Sequence, residues 1–273
     1  MRLSFASLGC PGWNLQQVAE NARALGYEGV ELRGSPGEHI GPDETPETRS
    51  AIRRLFEANG VQIACIMGYS TFTWDDLQKQ AQSIETACKF LEVASDVHCP
   101  VLRIFGGKFS DAGREESLRR VIAGIRQVAG RAEKAGVKLA IETHDDWCKG
   151  ENLRAVLAGV QSPALGVCWD IGNSFFTEPL DDTWRTIRQD IVHVHFKDGA
   201  RGGDGKVHSI LPGTGQVDMR RALQLLHTGG YQGYLSFEWE KKWQPELAEP
   251  EIAFPHYARV AAGLMRDLGV PRG

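Results

Sequence analysis

Short apolar runs rich in β-branched residues recur along the whole chain, at residues 2–7, 29–33, 61–66, 101–105, 137–142, 165–170, 191–195 and 234–238. Their length and composition predict strands, eight in all. Between them the spacing changes to that of helices. Over 118–135, Leu118, Val121, Ile122, Ile125, Val128 and Ala129 recur at intervals of three and four, which gathers them on one helix face. The turns repeat as well. Gly26, Gly60 and Gly136 each follow a helical segment and precede a strand, where glycine closes a helix in the left-handed conformation.

Strict alternation of strand and helix implies a parallel sheet. Eight such units in 273 residues fit a single closed (β/α)8 barrel, an α/β TIM barrel spanning 1–273, with its active site at the C-terminal ends of the strands. No G-x-G-x-x-G follows the first strand, which argues against a dinucleotide-binding sheet. Composition adds little to this picture: 42% hydrophobic and 24% charged residues are ordinary for a soluble enzyme. A formal net charge of −4 supplies no basic field for nucleic acid, and no apolar run approaches a membrane span. None of the six cysteines forms a C-x-x-C pair, and several lie in apolar runs. They read as buried thiols of a reducing compartment, so a cytoplasmic protein is expected.

The chemistry lies at the strand ends. Glu142, Asp170, His195 and Glu238 close the last four predicted strands, each behind an apolar run. Closure of the barrel aims these strands at one centre. Three carboxylates packed together repel one another unless a cation sits among them. Oxygen donors with a single nitrogen suit Mn2+ first, with Mg2+, Co2+, Fe2+ and Zn2+ as alternatives. His193 shares a strand face with His195 and is expected to be a deeper hydrogen-bonded residue. Glu240 stands in the same relation to Glu238, either orienting it or solvated.

At these positions the sequence resembles the xylose-isomerase-like TIM-barrel superfamily, in its sugar (phosphate) isomerase and epimerase branch. The matching stretches are Ala140-Ile141-Glu142-Thr143-His144, Cys168-Trp169-Asp170-Ile171-Gly172-Asn173, His193-Val194-His195-Phe196-Lys197-Asp198 and Gly233-Tyr234-Leu235-Ser236-Phe237-Glu238-Trp239-Glu240. Leu211-Pro212-Gly213-Thr214-Gly215-Gln216-Val217-Asp218 resembles the loop after the seventh strand. The resemblance implies that Glu142, Asp170, His195 and Glu238 hold one divalent cation, and that Glu142 and Glu238 also carry protons to and from a ketose or related polyhydroxy carbonyl substrate through an enediolate. His144, Lys197, Arg103, His208, Trp13 and Trp147 are expected substrate contacts, although a buried ion pair suits Arg103 equally well.

Other readings remain. An inosose-dehydratase-like lyase shares the same first steps and differs by an acid on the leaving group, for which His144, Lys197 and His208 are the candidates. A sugar-binding barrel with a vestigial site is a third. An endonuclease-IV-like nuclease needs further histidines, and Asn173 stands where many members have one. The late aromatics Trp239, Trp243, Phe254 and Tyr257 suit a cover on the barrel or a homo-oligomer interface.

Overall fold

The computed structural model describes residues 1–272. Eight parallel strands close into a barrel in the order β1-β10-β7-β6-β5-β4-β3-β2. They are β1 (Arg2–Ala6), β2 (Gly29–Arg33), β3 (Gln62–Thr71), β4 (Val101–Phe105), β5 (Lys138–Glu142), β6 (Leu165–Asp170), β7 (Ile191–His195) and β10 (Tyr234–Phe237). The helices that cover them are α1 (Leu15–Ala24), α2 (Pro46–Asn59), α3 (Leu77–Asp96), α4 (Arg114–Ala135), α5 (Gly150–Val160), α6 (Ile171–Phe175), α7 (Leu180–Ile187), α8 (Met219–Thr228) and α9 (Pro250–Asp267). None of them is long and apolar enough to cross a membrane.

Local chemistry sets the helix boundaries. Asn14 and Gln17 form a reciprocal cap at the start of α1, each accepting from the other's backbone N–H at 2.9 Å. At the ends of α2 and α4, Gly60 and Gly136 both take φ +67°, the conformation expected of them. The face of α4 is also as expected, with Val121, Ile125, Val128 and Ala129 buried.

Period-two alternation splits each strand between two environments. Outward residues such as Leu139, Ile141, Val167, Trp169, Leu235 and Phe237 join the main apolar core with the helices. Inward residues stay out of it. Cys65, Val101, Ala140 and Cys168 form a small separate cluster inside the barrel. All six cysteines are free and buried. Trp239, Phe254 and Tyr257 also belong to the core: the Tyr257 ring lies 4.6 Å from Phe237, and Phe254 lies 4.1 Å from Phe5. These three therefore cover the barrel and offer no interface, whereas Trp243 is exposed.

Two departures from the expected pattern matter for the site. β3 runs to Thr71, five residues past its expected end, and carries Tyr69 to the barrel mouth. The segment after β7 is a two-stranded antiparallel hairpin, β8 (Asp198–Arg201) and β9 (Val207–Ile210), where a glycine-rich loop was expected.

Candidate metal centre

The inward positions change character along each strand. Ala140, Cys168, His193 and Ser236 precede Glu142, Asp170, His195 and Glu238 by two residues on the same faces. Strand register staggers these ends in steps of two: Glu142 pairs with Cys168, two before Asp170; Asp170 pairs with His195; and His195 pairs with Ser236, two before Glu238. The four expected ligands thus meet, each offering a donor atom within 4.8 Å of the others. His195 Nδ1 lies 3.6 Å from Glu142 Oε1, 3.7 Å from Asp170 Oδ2 and 3.4 Å from Glu238 Oε1.

These atoms have little to bond to within the chain. His195 Nδ1, Asp170 Oδ2 and both Glu142 oxygens are buried and lack hydrogen-bond partners among the described residues. Orphaned buried donors and acceptors cost roughly 1–3 kcal/mol each, more when charged. One ion at the common point would answer His195 Nδ1 and one oxygen from each carboxylate, so the residues present fit a divalent cation. The hard oxygen set with one imidazole matches the expected metal types.

Two buried cations flank the cluster. Arg103 Nη1 lies 3.1 Å from Glu142 Oε2, and its guanidinium packs over the rings of Phe105 and Tyr69, 3.9 and 4.9 Å away. Of the two roles open to Arg103, the buried ion pair is the one visible in the structure. Lys197 Nζ donates to Glu238 Oε2 at 2.6 Å and Glu240 Oε1 at 3.0 Å, and lies 2.8 Å from Asp170 Oδ2. Glu240 is therefore tied to the centre through Lys197. Burial, the largest influence, pushes the Glu142 carboxyl up, but Arg103 and His195 together leave the group below its ordinary value. For Glu238, His195 and Lys197 overcome burial and hold it well below. At Asp170 burial wins over Lys197, and the carboxyl is raised.

The supporting shell was only partly visible in the sequence. Thr143 Oγ1 accepts from Asp170 N–H at 2.8 Å, and Asn173 Nδ2 donates to the Thr143 carbonyl at 3.1 Å. The residue standing in for a family histidine thus fastens β5 to β6. Glu31 was missed. It lies on β2, fully buried, accepting from His193 Nε2 at 3.2 Å, His195 Nε2 at 3.1 Å and Ser236 Oγ at 2.9 Å. A lone glutamate between Val30 and Leu32 was the available signal. His193 is the deeper hydrogen-bonded residue expected.

The remaining candidates spread out. His144 follows Glu142 at the mouth, half exposed, its ring 4.7 Å from Phe105 and its Nδ1 3.0 Å from Asp145. His208 sits on the hairpin with Nε2 3.1 Å from Asp204, and lines a cavity of about 200 Å³ with Asn173, Lys197, Glu240 and Gln244. Trp147 has no exposed surface; it packs under Gly106 and donates to the Gly107 carbonyl, bracing the rim instead of facing a substrate. Trp13 donates to Glu251 at 3.2 Å and lines a different depression, with Glu38 and His39. Asp198 is a clamp. Its carboxylate accepts four backbone N–H groups, from Gly199, Gly213, Gly215 and Val217, at 2.8–3.1 Å. A Cβ on Gly215 would come within 2.3 Å of Asp198 Oδ1, so only glycine allows this approach.

A family model of the xylose isomerase-like TIM barrel matches residues 19–256. The chain belongs to that family. Among curated relatives, the rhizopine catabolism protein MocC of Rhizobium meliloti is 26% identical, over 91% of this chain and 82% of MocC. An inosose dehydratase of Glaesserella parasuis is 22% identical, over 97% of this chain and 98% of that protein. Among solved structures, a D-psicose 3-epimerase from Clostridium cellulolyticum H10 superposes with a TM-score of 0.81 at 14% identity, covering 98% of this chain and 99% of that one. The IolI protein, solved with a zinc atom, does so at 0.78 and 17%, covering 98% of each chain. The xylose isomerase-like barrel here thus has epimerase and dehydratase relatives, and structural neighbours that include a metal-bound protein.

Proposed function

We propose that this xylose isomerase-like barrel is a divalent-metal-dependent isomerase or epimerase of a ketose or related polyhydroxy carbonyl compound, working through an enediolate. The observation that carries this reading is the set of orphaned buried donors on Glu142, Asp170 and His195, closed by Glu238. A cation held there, with Mn2+ the first choice, supplies Lewis-acid polarisation of a ketone and its neighbouring hydroxyl and so acidifies the C–H between them. Glu142 and Glu238 bracket the cluster, with the strands of Asp170 and His195 between them in barrel order. Each is kept ionised by its own cation, Arg103 or Lys197, and so can accept a proton. Return of the proton to the other carbon isomerises the substrate, and return to the other face epimerises it. The cavity beside Lys197 and Asn173 offers room and polar groups for a hydroxylated chain.

A lyase reading is favoured by one observation. The Lys197 ammonium touches Glu238, so a proton can be delivered to a β-hydroxyl leaving as water. The test is incubation of Mn2+-reconstituted protein with ketoses and inososes in deuterated water. Deuterium uptake without loss of water supports isomerisation or epimerisation, and an enone or dione product supports the lyase. Glu142→Gln and Glu238→Gln should each abolish exchange; near-normal exchange in either rejects that glutamate as a proton carrier. Failure to retain any divalent metal rejects the whole reading.

A further inference from the structure

Beneath the four ligands lies a second polar layer. Glu31 reaches inward from β2, which in barrel order is separated from β7 by β1 and β10. Its Oε2 accepts from Ser236 Oγ at 2.9 Å and from His193 Nε2 at 3.2 Å, and both oxygens receive His195 Nε2, at 3.1 and 3.2 Å. None of the three groups has appreciable exposure. A carboxylate only accepts, so both imidazoles must present N–H at Nε2. This leaves Nδ1 as the nitrogen that faces Glu142, Asp170 and Glu238, and it has no hydrogen-bond partner among the described residues. Cys65 Sγ also comes within 4.8 Å of donors on Glu31 and His193. Both Glu31 oxygens are already occupied, so this layer supports the centre above it and is not an ion site of its own.

We infer that Glu31 is a positioning residue that fixes the ring orientation and the Nε2–H tautomer of His195, with His193 and Ser236 holding Glu31 in place. The inference rests on the metal reading only for its consequence, which is tighter binding of the ion. The Nε2–H contact with Glu31 itself belongs to the metal-free protein. A carboxylate behind a ligating imidazole fixes the ring and raises its basicity, and losing one lowers metal affinity roughly 10–100-fold. Glutamine in place of Glu31 can keep an acceptor at the Oε2 position but puts an N–H at the Oε1 position, 3.2 Å from His195 Nε2, so it is nearly isosteric yet wrong in donor pattern.

The experiment uses the full chain stripped of metal. Two-dimensional nitrogen-15 spectra of the histidine rings read the tautomer, and titration with Co2+, followed by its visible absorption, reads affinity. The wild type should show a His195 Nε2 that carries a proton, and bind one equivalent. Glu31→Gln should mix or invert the tautomer and weaken Co2+ binding about 10–100-fold. A folded Glu31→Gln with the wild-type tautomer and affinity overturns the inference. If that variant does not fold, Ser236→Ala decides: broadened His195 signals with a several-fold weaker affinity support the inference, and unchanged spectra and affinity overturn it. If the wild type itself takes up no Co2+, the metal reading falls, while the nitrogen-15 spectra still test the role of Glu31.

Discussion

Arg103→Met removes the guanidinium from between Phe105 and Tyr69 and leaves a side chain of similar length. The partner it abandons, Glu142, is fully buried, and neither of its oxygens has a hydrogen bond to fall back on. Breaking a buried pair on one side costs on the order of 3–5 kcal/mol, because the remaining charge is uncompensated. At roughly 2–4 °C of Tm per kcal/mol for a chain somewhat smaller than this one, the loss is about 6–20 °C. The nearest other nitrogen is His195 Nδ1, 3.6 Å from Oε1, and it offers only partial relief. The variant should therefore be rescued by removing the charge: Glu142→Gln combined with Arg103→Met should be more stable than the sum of the two single losses by at least about 1 kcal/mol. Urea or thermal unfolding of the four metal-free proteins measures the cycle. Additivity within about 0.5 kcal/mol would refute an electrostatic role for the pair and reduce Arg103 to packing. A second arm adds Mn2+ in excess, which should narrow the gap between Arg103→Met and the wild type, since a bound cation compensates the same carboxylate.

Stripping the protein with a chelator should lower Tm, and Mn2+ at about 100 times its Kd should restore roughly 2.7 kcal/mol; equal Tm values with and without metal would contradict a native-state site. Asp198→Ala releases four N–H groups and should cost about 1–3 kcal/mol, with faster amide exchange at Gly213, Gly215 and Val217; unchanged protection there would rule out the clamp. At His144, burial lowers the imidazole pKa most, but Asp145 and Glu142 together make the net shift upward. A raised folded pKa means the stabilisation is fully present below the unfolded value near 6.5 and is lost as pH rises through the folded value. Asp145→Asn should move the His144 proton resonance titration to lower pH, and an unmoved titration would disprove the coupling.

The barrel was legible because the apolar runs on its strands repeat eight times, and the cluster of Glu142, Asp170, His195 and Glu238 because each closes such a run. Boundaries shifted where tertiary pairing overrode local pattern. β3 continues past Ile66 because Met67 and Thr71 find partners on β4, at Arg103 and Phe105. The hairpin escaped notice because Asp198–Arg201 and Val207–Ile210 are too polar and glycine-rich to read as strands, and are held by main-chain pairing instead. Glu31 lies within a fully buried strand whose sequence, Gly-Val-Glu-Leu-Arg, does not say which partners the glutamate will meet. They come from β7 and β10, more than 160 residues away in sequence. Trp13 and Trp147 were expected at the substrate because both lie in strand-to-helix loops, but such a loop also has to be packed down. Trp147 does that work, with its ring edge-on to Phe109.

The split of each strand into an outward face that packs helices and an inward face that ends in chemistry has an evolutionary corollary. Substitutions at the inward rim leave the outward core untouched, so new substrates can be explored at little risk to folding. The deeper inward layer of Glu31, His193 and Ser236 lacks that freedom, because each member is bonded to another. Drift in such a barrel should therefore concentrate in the side chains at the mouth around the four clustered residues and in the hairpin hung on Asp198. A designer wishing to reshape the mouth of this barrel would begin at Tyr69, His144 and Gln244 and leave Glu31 alone.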